Sequence, residues 1–130
     1  MKKLLTILIL LSSGLFADIT WQKDISTAMK MAKEQNKKVM LYVEGRHCKW
    51  CTKMKRRTLA NTKVQEKLNP FILVKVFKEN TKAIKDLPQV RFVPTIFFLT
   101  PQKEIIETVR GYFGVEDFIS YINDVESHTK

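Results

Sequence analysis

This chain holds two cysteines, four glycines and four prolines in 130 residues, and its 13 acids are outnumbered by 23 bases. With a single cysteine pair, any structural bridge has to join Cys48 to Cys51. Internal repeats, low-complexity tracts and Gly/Ser linkers are all missing, so nothing divides the chain into two domains. The shortage of acid leaves a formal net charge of +10. Such a balance steers acidic partners or anionic membrane surfaces toward the chain without specifying either. No recognisable nucleic-acid-binding motif accompanies the charge, so nucleic acid is not an expected partner. Long apolar runs are lacking too. The stretch from Leu4 to Leu11, interrupted by Thr6, falls short of the about 20 residues that span a bilayer.

What stands at the N-terminus has the pattern of an export signal. Met1-Lys2-Lys3 is positive, the apolar stretch follows, and Ser12-Ser13-Gly14-Leu15-Phe16-Ala17 supplies small residues. The expected cut follows Ala17. Leu15 is a poorer match at −3 than Ala, which keeps a cut after Gly14 open. An uncleaved anchor is the competing reading, but Asp18 ends the apolar stretch early. No cysteine follows the cut, so lipid attachment is unsupported. A signal this short suits a bacterial Sec substrate, and the expected location is the periplasm. Residues 1–17 are thus read as a signal peptide and 18–130 as one domain with one core. Loss of Lys2 and Lys3 lowers the net charge by two.

Along the mature chain, Ile19 to Trp21 reads as a short edge strand. Asp24 reads as an N-cap, and Ile25, Ala28, Met29 and Ala32 form one apolar helical stripe. Val39 to Val43 is a continuous apolar run, the pattern of a strand buried on both faces. Past Cys51, the residues Met54, Thr58 and Leu59 share a helix face with it, while Lys49, Lys53, Arg56 and Arg57 fall toward the other. Asn61 or Thr62 caps a further short helix to Leu68, which Asn69-Pro70 ends. Phe71 to Phe77 is a second strong strand, and Thr81 to Leu87 is expected to be a short helix. Pro94 opens a strand over Thr95 to Leu99, turned by Thr100 to Lys103 into a partner over Glu104 to Val109. A last amphipathic helix carries Val115, Phe118, Ile119, Ile122 and Val125. Alternating strands and helices, then a hairpin and a closing helix, predict an α/β fold with a mixed sheet flanked by helices on both faces.

Chemistry centres on Cys48-Lys49-Trp50-Cys51. Thiols at this spacing can close a small ring at the start of a helix, and such a pair is a redox catalyst if it opens and closes easily. A ring so short removes little entropy from the unfolded chain, which argues against a purely structural bridge. Two buried, unreactive thiols are the plainer alternative.

Taken together the sequence resembles the thioredoxin-like superfamily, most closely its small exported members with the motif Cys-x-Trp-Cys-x-x-Met. The residues that carry the resemblance are the buried strand before Cys48, the segment Cys48 to Met54, Val93-Pro94-Thr95, the hairpin with Gly111, and the opening Ile19-Thr20-Trp21. The resemblance implies a thioredoxin fold with a cis Val93–Pro94 bond against the cysteines. It implies a redox disulfide Cys48–Cys51, with Cys48 the nucleophile and Cys51 the more buried resolving thiol. A helix N-terminus and the cations Arg46, Lys49, Lys53, Lys55, Arg56 and Arg57 would lower the Cys48 pKa below the free-thiol value of about 8.5. His47 has two readings, a stabiliser of the thiolate or a solvent-exposed neighbour. Trp50 is read as a docking surface for substrate, with packing against its own domain as the alternative. Lys75 lies as far before the proline as a lysine that many thioredoxins place near their thiols; snorkelling to the sheet edge is its alternative. One position departs from the pattern. Tyr42 stands where thioredoxins have an acid that assists proton transfer, and the nearest acid, Glu44, shares its strand phase with exposure left open.

The leading functional expectation is a thiol–disulfide oxidoreductase acting on cysteine-containing exported proteins without a bound cofactor. A reductant fed by a redox partner, for which a membrane-bound donor is one candidate, is favoured over an oxidant, and an isomerase is disfavoured because no added dimerisation domain is present. A monomer is expected. Two alternatives remain: a metal-binding or metal-delivery module on His47, Cys48 and Cys51, with His128 the only other imidazole, and a redox-inactive docking domain. Covalent haem is set aside because Thr52, not His, follows Cys51.

Overall fold

A computed structural model describes residues 19–128 of the chain. The expected signal peptide and both candidate cut sites lie outside the described residues. Five strands and four helices follow in the order β1 (Trp21–Gln22), α1 (Ile25–Gln35), β2 (Val39–Glu44), α2 (Lys49–Lys53), α3 (Thr62–Leu68), β3 (Ile72–Phe77), β4 (Thr95–Leu99), β5 (Ile105–Arg110) and α4 (Val115–Ser127). Between α2 and α3 the helical path continues as a wider π-turn over Met54–Leu59. The sheet order is β1-β3-β2-β4-β5. β1, β3 and β2 run parallel, and β4 and β5 are antiparallel additions.

The central strand explains the architecture. Every residue of β2 is buried, and successive side chains point to opposite faces. Val39, Leu41 and Val43 pack with Ala28 and Ala32 of α1, Val74 and Phe97. Met40 and Tyr42 pack on the other side with Met54, Phe98, and Phe118 and Ile122 of α4. One strand thus anchors two half-cores. This is the mixed, doubly covered sheet that the alternating pattern predicts.

Local chemistry sets the element ends. Asp24 accepts the Thr27 N–H at 2.7 Å and the Thr27 hydroxyl at 2.9 Å, bonds that hold its carboxyl below the usual range. Asn36 ends α1 in the left-handed region at φ 50°, which Asn tolerates better than most residues. Asn61 caps α3 by accepting from Lys63 and Val64. Lys38 Nζ donates to the carbonyls of Val125, Glu126 and His128 at 2.9, 3.3 and 3.0 Å, completing the end of α4. The predicted face Cys51, Met54, Thr58 and Leu59 is buried throughout, and the Thr58 hydroxyl donates to the Phe113 carbonyl at 2.6 Å.

The segment from Thr81 to Leu87 differs from expectation. It forms successive turns, not a helix. Asn80 gathers the Ala83 amide on both its side chain and its carbonyl, a local closure that competes with a helical ladder. Pro88 then disfavours helical geometry at Leu87. The edge strand begins at Trp21, two residues later than predicted, and no described helix is long and apolar enough to cross a membrane.

Candidate active site

β2 delivers the chain to the site and stops at Glu44. Gly45-Arg46-His47 then turns into α2, whose N-cap is Cys48. A side chain at position 45 would bring its Cβ to 3.0 Å from Val93 Cγ2. Glycine is what allows this turn to lie against the Val93–Pro94 segment. The turn is also tied from outside, as Arg46 donates its backbone N–H to Glu79 Oε1 at 3.2 Å. That bond holds the exposed Glu79 carboxyl below its usual range.

Cys48 and Cys51 are joined in a disulfide with Cα atoms 5.2 Å apart. The two sulfurs differ in setting. Cys48 is partly exposed, whereas Cys51 is 2% exposed. Cys48 Sγ accepts the Cys51 N–H at 3.1 Å, so the sulfur itself caps the helix. A negative sulfur at that position is favoured by the unpaired amides of the first turn. Opposite, the Val93 carbonyl oxygen lies 3.5 Å from Cys48 Sγ. In the disulfide this is a contact only, because the sulfur carries no proton. The Val93–Pro94 bond is cis, Pro94 is buried, and its carbonyl accepts the Gly111 N–H at 2.8 Å. Gly111 has φ +94°, a backbone conformation suited to glycine. Two stretches far apart in sequence, the Gly45–Cys51 segment and Val93–Pro94, therefore meet at one sulfur.

Beneath the pair, Tyr42 is fully buried and its hydroxyl donates to the Cys51 carbonyl at 3.1 Å. Burial, and then the nearby Glu44 charge, push the phenol well above its ordinary value of 10.0. Tyr42 is therefore a proton-bearing brace for α2 at neutral pH. Glu44 is buried, at 5% exposure. Its partner is Lys55, whose Nζ hydrogen-bonds Oε1 at 3.4 Å and stands 3.3 Å from Oε2.

The other predicted site residues scatter. His47 is exposed beside Cys48. Lys75 is exposed, and its Nζ lies 5.6 Å above the Trp21 ring. The contact it makes is with that ring, which fits the snorkelling alternative. Among the cations expected round Cys48, Arg46 lies over Phe77 at 5.8 Å, Lys55 is paired with Glu44, and Lys53 is held by aromatic rings. His47, Cys48, Cys51 and His128 do not form a common ligand set, and the described residues contain no cluster of three or more His, Cys, Asp or Glu that could hold a metal.

Trp50 is 56% exposed and borders a groove of about 480 Å³ with Phe92, Val93, Arg110, Gly111 and Tyr112. Lys53 Nζ lies 4.9 Å from the Trp50 ring and 4.5 Å from the Tyr112 ring. Phe92, Arg110 and Tyr112 carry no motif and were not legible as site residues. Their only hints are adjacency to Val93-Pro94 and to Gly111.

A profile of the family described as a thioredoxin-like domain matches residues 25–126. The chain belongs to this thioredoxin-like family. The solution structure of a thioredoxin from Thermus thermophilus is similar at a TM-score of 0.73 and 21% identity, covering 84% of this chain and 89% of that one. A structure titled DsbH oxidoreductase gives a TM-score of 0.74 at 16% identity, with 86% and 88% covered. The oxidised C-terminal domain of DsbD from Neisseria meningitidis gives 0.64 at 19%, with 80% and 97% covered. Among curated proteins no relative matches. In this thioredoxin-like frame, a half-exposed sulfur backed by a buried one is the arrangement of a thiol–disulfide oxidoreductase.

Proposed function

We propose that the chain is a periplasmic thiol–disulfide oxidoreductase, with reduction of disulfides in other exported proteins favoured over their formation. The observation that carries the exchange chemistry is the asymmetry of the pair: Cys48 is partly exposed and caps α2, while Cys51 is buried one turn behind it. In the dithiol form, the Cys48 thiolate attacks a substrate disulfide, forming a mixed disulfide and releasing one substrate sulfur as a thiolate that takes a proton from solvent. Cys51 then loses its proton and attacks Cys48 Sγ. The second substrate sulfur leaves, two electrons have passed to the substrate, and the protein holds the disulfide seen in the structure. A dithiol partner, membrane-bound in the fullest form of this reading, returns the pair to the reduced state by the same exchange.

Export is supported by the charged, apolar and small-residue pattern of residues 1–17. The roles of Val93, Pro94 and Trp50 in seating the substrate chain belong to the same proposal. So does the boundary of the mature domain at residue 18.

The test is the equilibrium reduction potential of the Cys48/Cys51 couple against glutathione, on protein lacking residues 1–17. A value near about −270 mV supports a reductant, and one near about −120 mV makes it an oxidant. Failure to form a reversible disulfide removes the redox reading. In parallel, Cys51→Ala is expected to accumulate mixed disulfides through Cys48 that Cys48→Ala does not form, as read on non-reducing gels of periplasmic extracts.

A further inference from the structure

The groove beside the disulfide combines two kinds of surface. Its apolar walls are the exposed rings of Trp50 (56%) and Phe92 (67%), with Tyr112 and Val93 between them. Its only charged lining residue is Arg110, exposed at the end of β5 opposite Thr95, which directly follows Pro94. Among the described residues Arg110 has no ion-pair or hydrogen-bonding side-chain partner. The neighbouring cations differ. Lys53 is settled on the Trp50 and Tyr112 rings, and Arg91 donates from Nε to Gln89. The acids nearby are already engaged, Glu44 by Lys55 and Glu79 by the Arg46 amide. A free guanidinium beside an apolar trough, without an acid in the lining, complements a chain segment that pairs an apolar side chain with a carboxylate.

We propose that this groove selects substrate segments in which the reacting cysteine is flanked by an apolar and an acidic residue, with Arg110 as the specificity-determining side chain. The apolar residue lies against Trp50 and Phe92, and the carboxylate meets Arg110. The excess of bases over acids, which persists without Lys2 and Lys3, adds steering of acidic chains to this local choice. The inference rests on the exchange chemistry proposed above.

The experiment uses protein reduced beforehand, mixed in single turnover with peptides that hold one internal disulfide. The peptides share a leucine beside one cysteine and differ only at the next position, which is Glu, Gln or Lys. Second-order rate constants are read by acid quench and thiol trapping. The wild type is expected to react with the Glu peptide about threefold faster than with the Gln peptide, and slowest with the Lys peptide, at low ionic strength. The spread is expected to close as salt shortens the screening length to a few ångströms. Arg110→Gln should flatten the series and Arg110→Glu should invert it. Because each variant is read as a ratio among its own peptides, a general loss of activity does not imitate the result. Equal rates for all three peptides with the wild type, or an unchanged order in Arg110→Glu, would overturn the assignment. Bis(2-hydroxyethyl) disulfide, small and uncharged, separates the two levels. If reduced wild type fails to react with it, the oxidoreductase reading itself falls. If it reacts while the peptides show no preference, only the selectivity falls.

Discussion

Tyr42 shows how one side chain changes the logic of the site. An acid at this position would be a buried proton acceptor, whereas a phenol is a donor, and here it donates to the Cys51 carbonyl. That carbonyl also receives the Met54 amide, so Tyr42→Phe removes a buried donor without leaving the carbonyl bare. Loss of the buried bond is expected to cost about 1 kcal/mol in denaturant unfolding. The pH dependence follows from the raised phenol pKa. Above pH 10 the unfolded chain releases the phenol proton while the folded chain keeps it, so the unfolded state binds fewer protons. This contribution is fully present below pH 10 and is lost as pH rises further. Wild type should therefore lose stability in alkali faster than Tyr42→Phe, and identical alkaline slopes would show that Tyr42 is not held protonated. Glycine 45 acts at the same scale, since its missing Cβ is what lets the Cys48 turn and Val93 touch.

Among the elements, legibility in the sequence followed the range of the forces involved. Helix α1 and strand β2 were readable because stripe and cap, or a continuous apolar run, are local and agree with burial. Thr81 to Leu87 was not, because the turns there are decided by Asn80 and Pro88 and carry little apolar periodicity. The α2–α3 connection is the least regular helical stretch described. A short α-helix, a π-turn and another short helix succeed one another, and the Asn61 cap restarts the helix after the π-turn. Asn61→Ala removes the acceptor for two amides and should destabilise the protein by about 1 kcal/mol, with Asn61→Gly losing only a few tenths. Thermal or guanidinium unfolding of the pair checks this. Equal losses for both would point to a role other than capping.

At the scale of the molecule, the cysteines were visible because they are neighbours in sequence. Their surroundings were not, since Val93 reaches Cys48 from 45 residues away. Only the family resemblance put Val93 and Pro94 in the site. The groove residues Phe92, Arg110 and Tyr112 come together because β4 and β5 form a hairpin on the edge away from β1, and no spacing rule encodes that meeting. Lys75 is the converse case: its position in the chain matched the family, and its amine lies over the Trp21 ring.

The sulfur proposed to attack substrate is also the atom that caps α2. Oxidation state and folding stability are therefore two sides of one thermodynamic cycle. A thiolate accepts the Cys51 amide more strongly than a disulfide sulfur does, so reduction strengthens the start of the helix while it removes the covalent ring. The stability of the dithiol form minus that of the disulfide form must equal the offset between the folded couple and the same two thiols in unfolded chain, with about 1.4 kcal/mol for every 30 mV. Paired guanidinium unfolding curves of the two forms would yield that offset without any redox buffer. Agreement with the potential measured against glutathione is expected, and a mismatch would mean that one of the two forms does not unfold as a two-state equilibrium. The electron-transfer tendency of this domain is, in that sense, written in how firmly one helix begins.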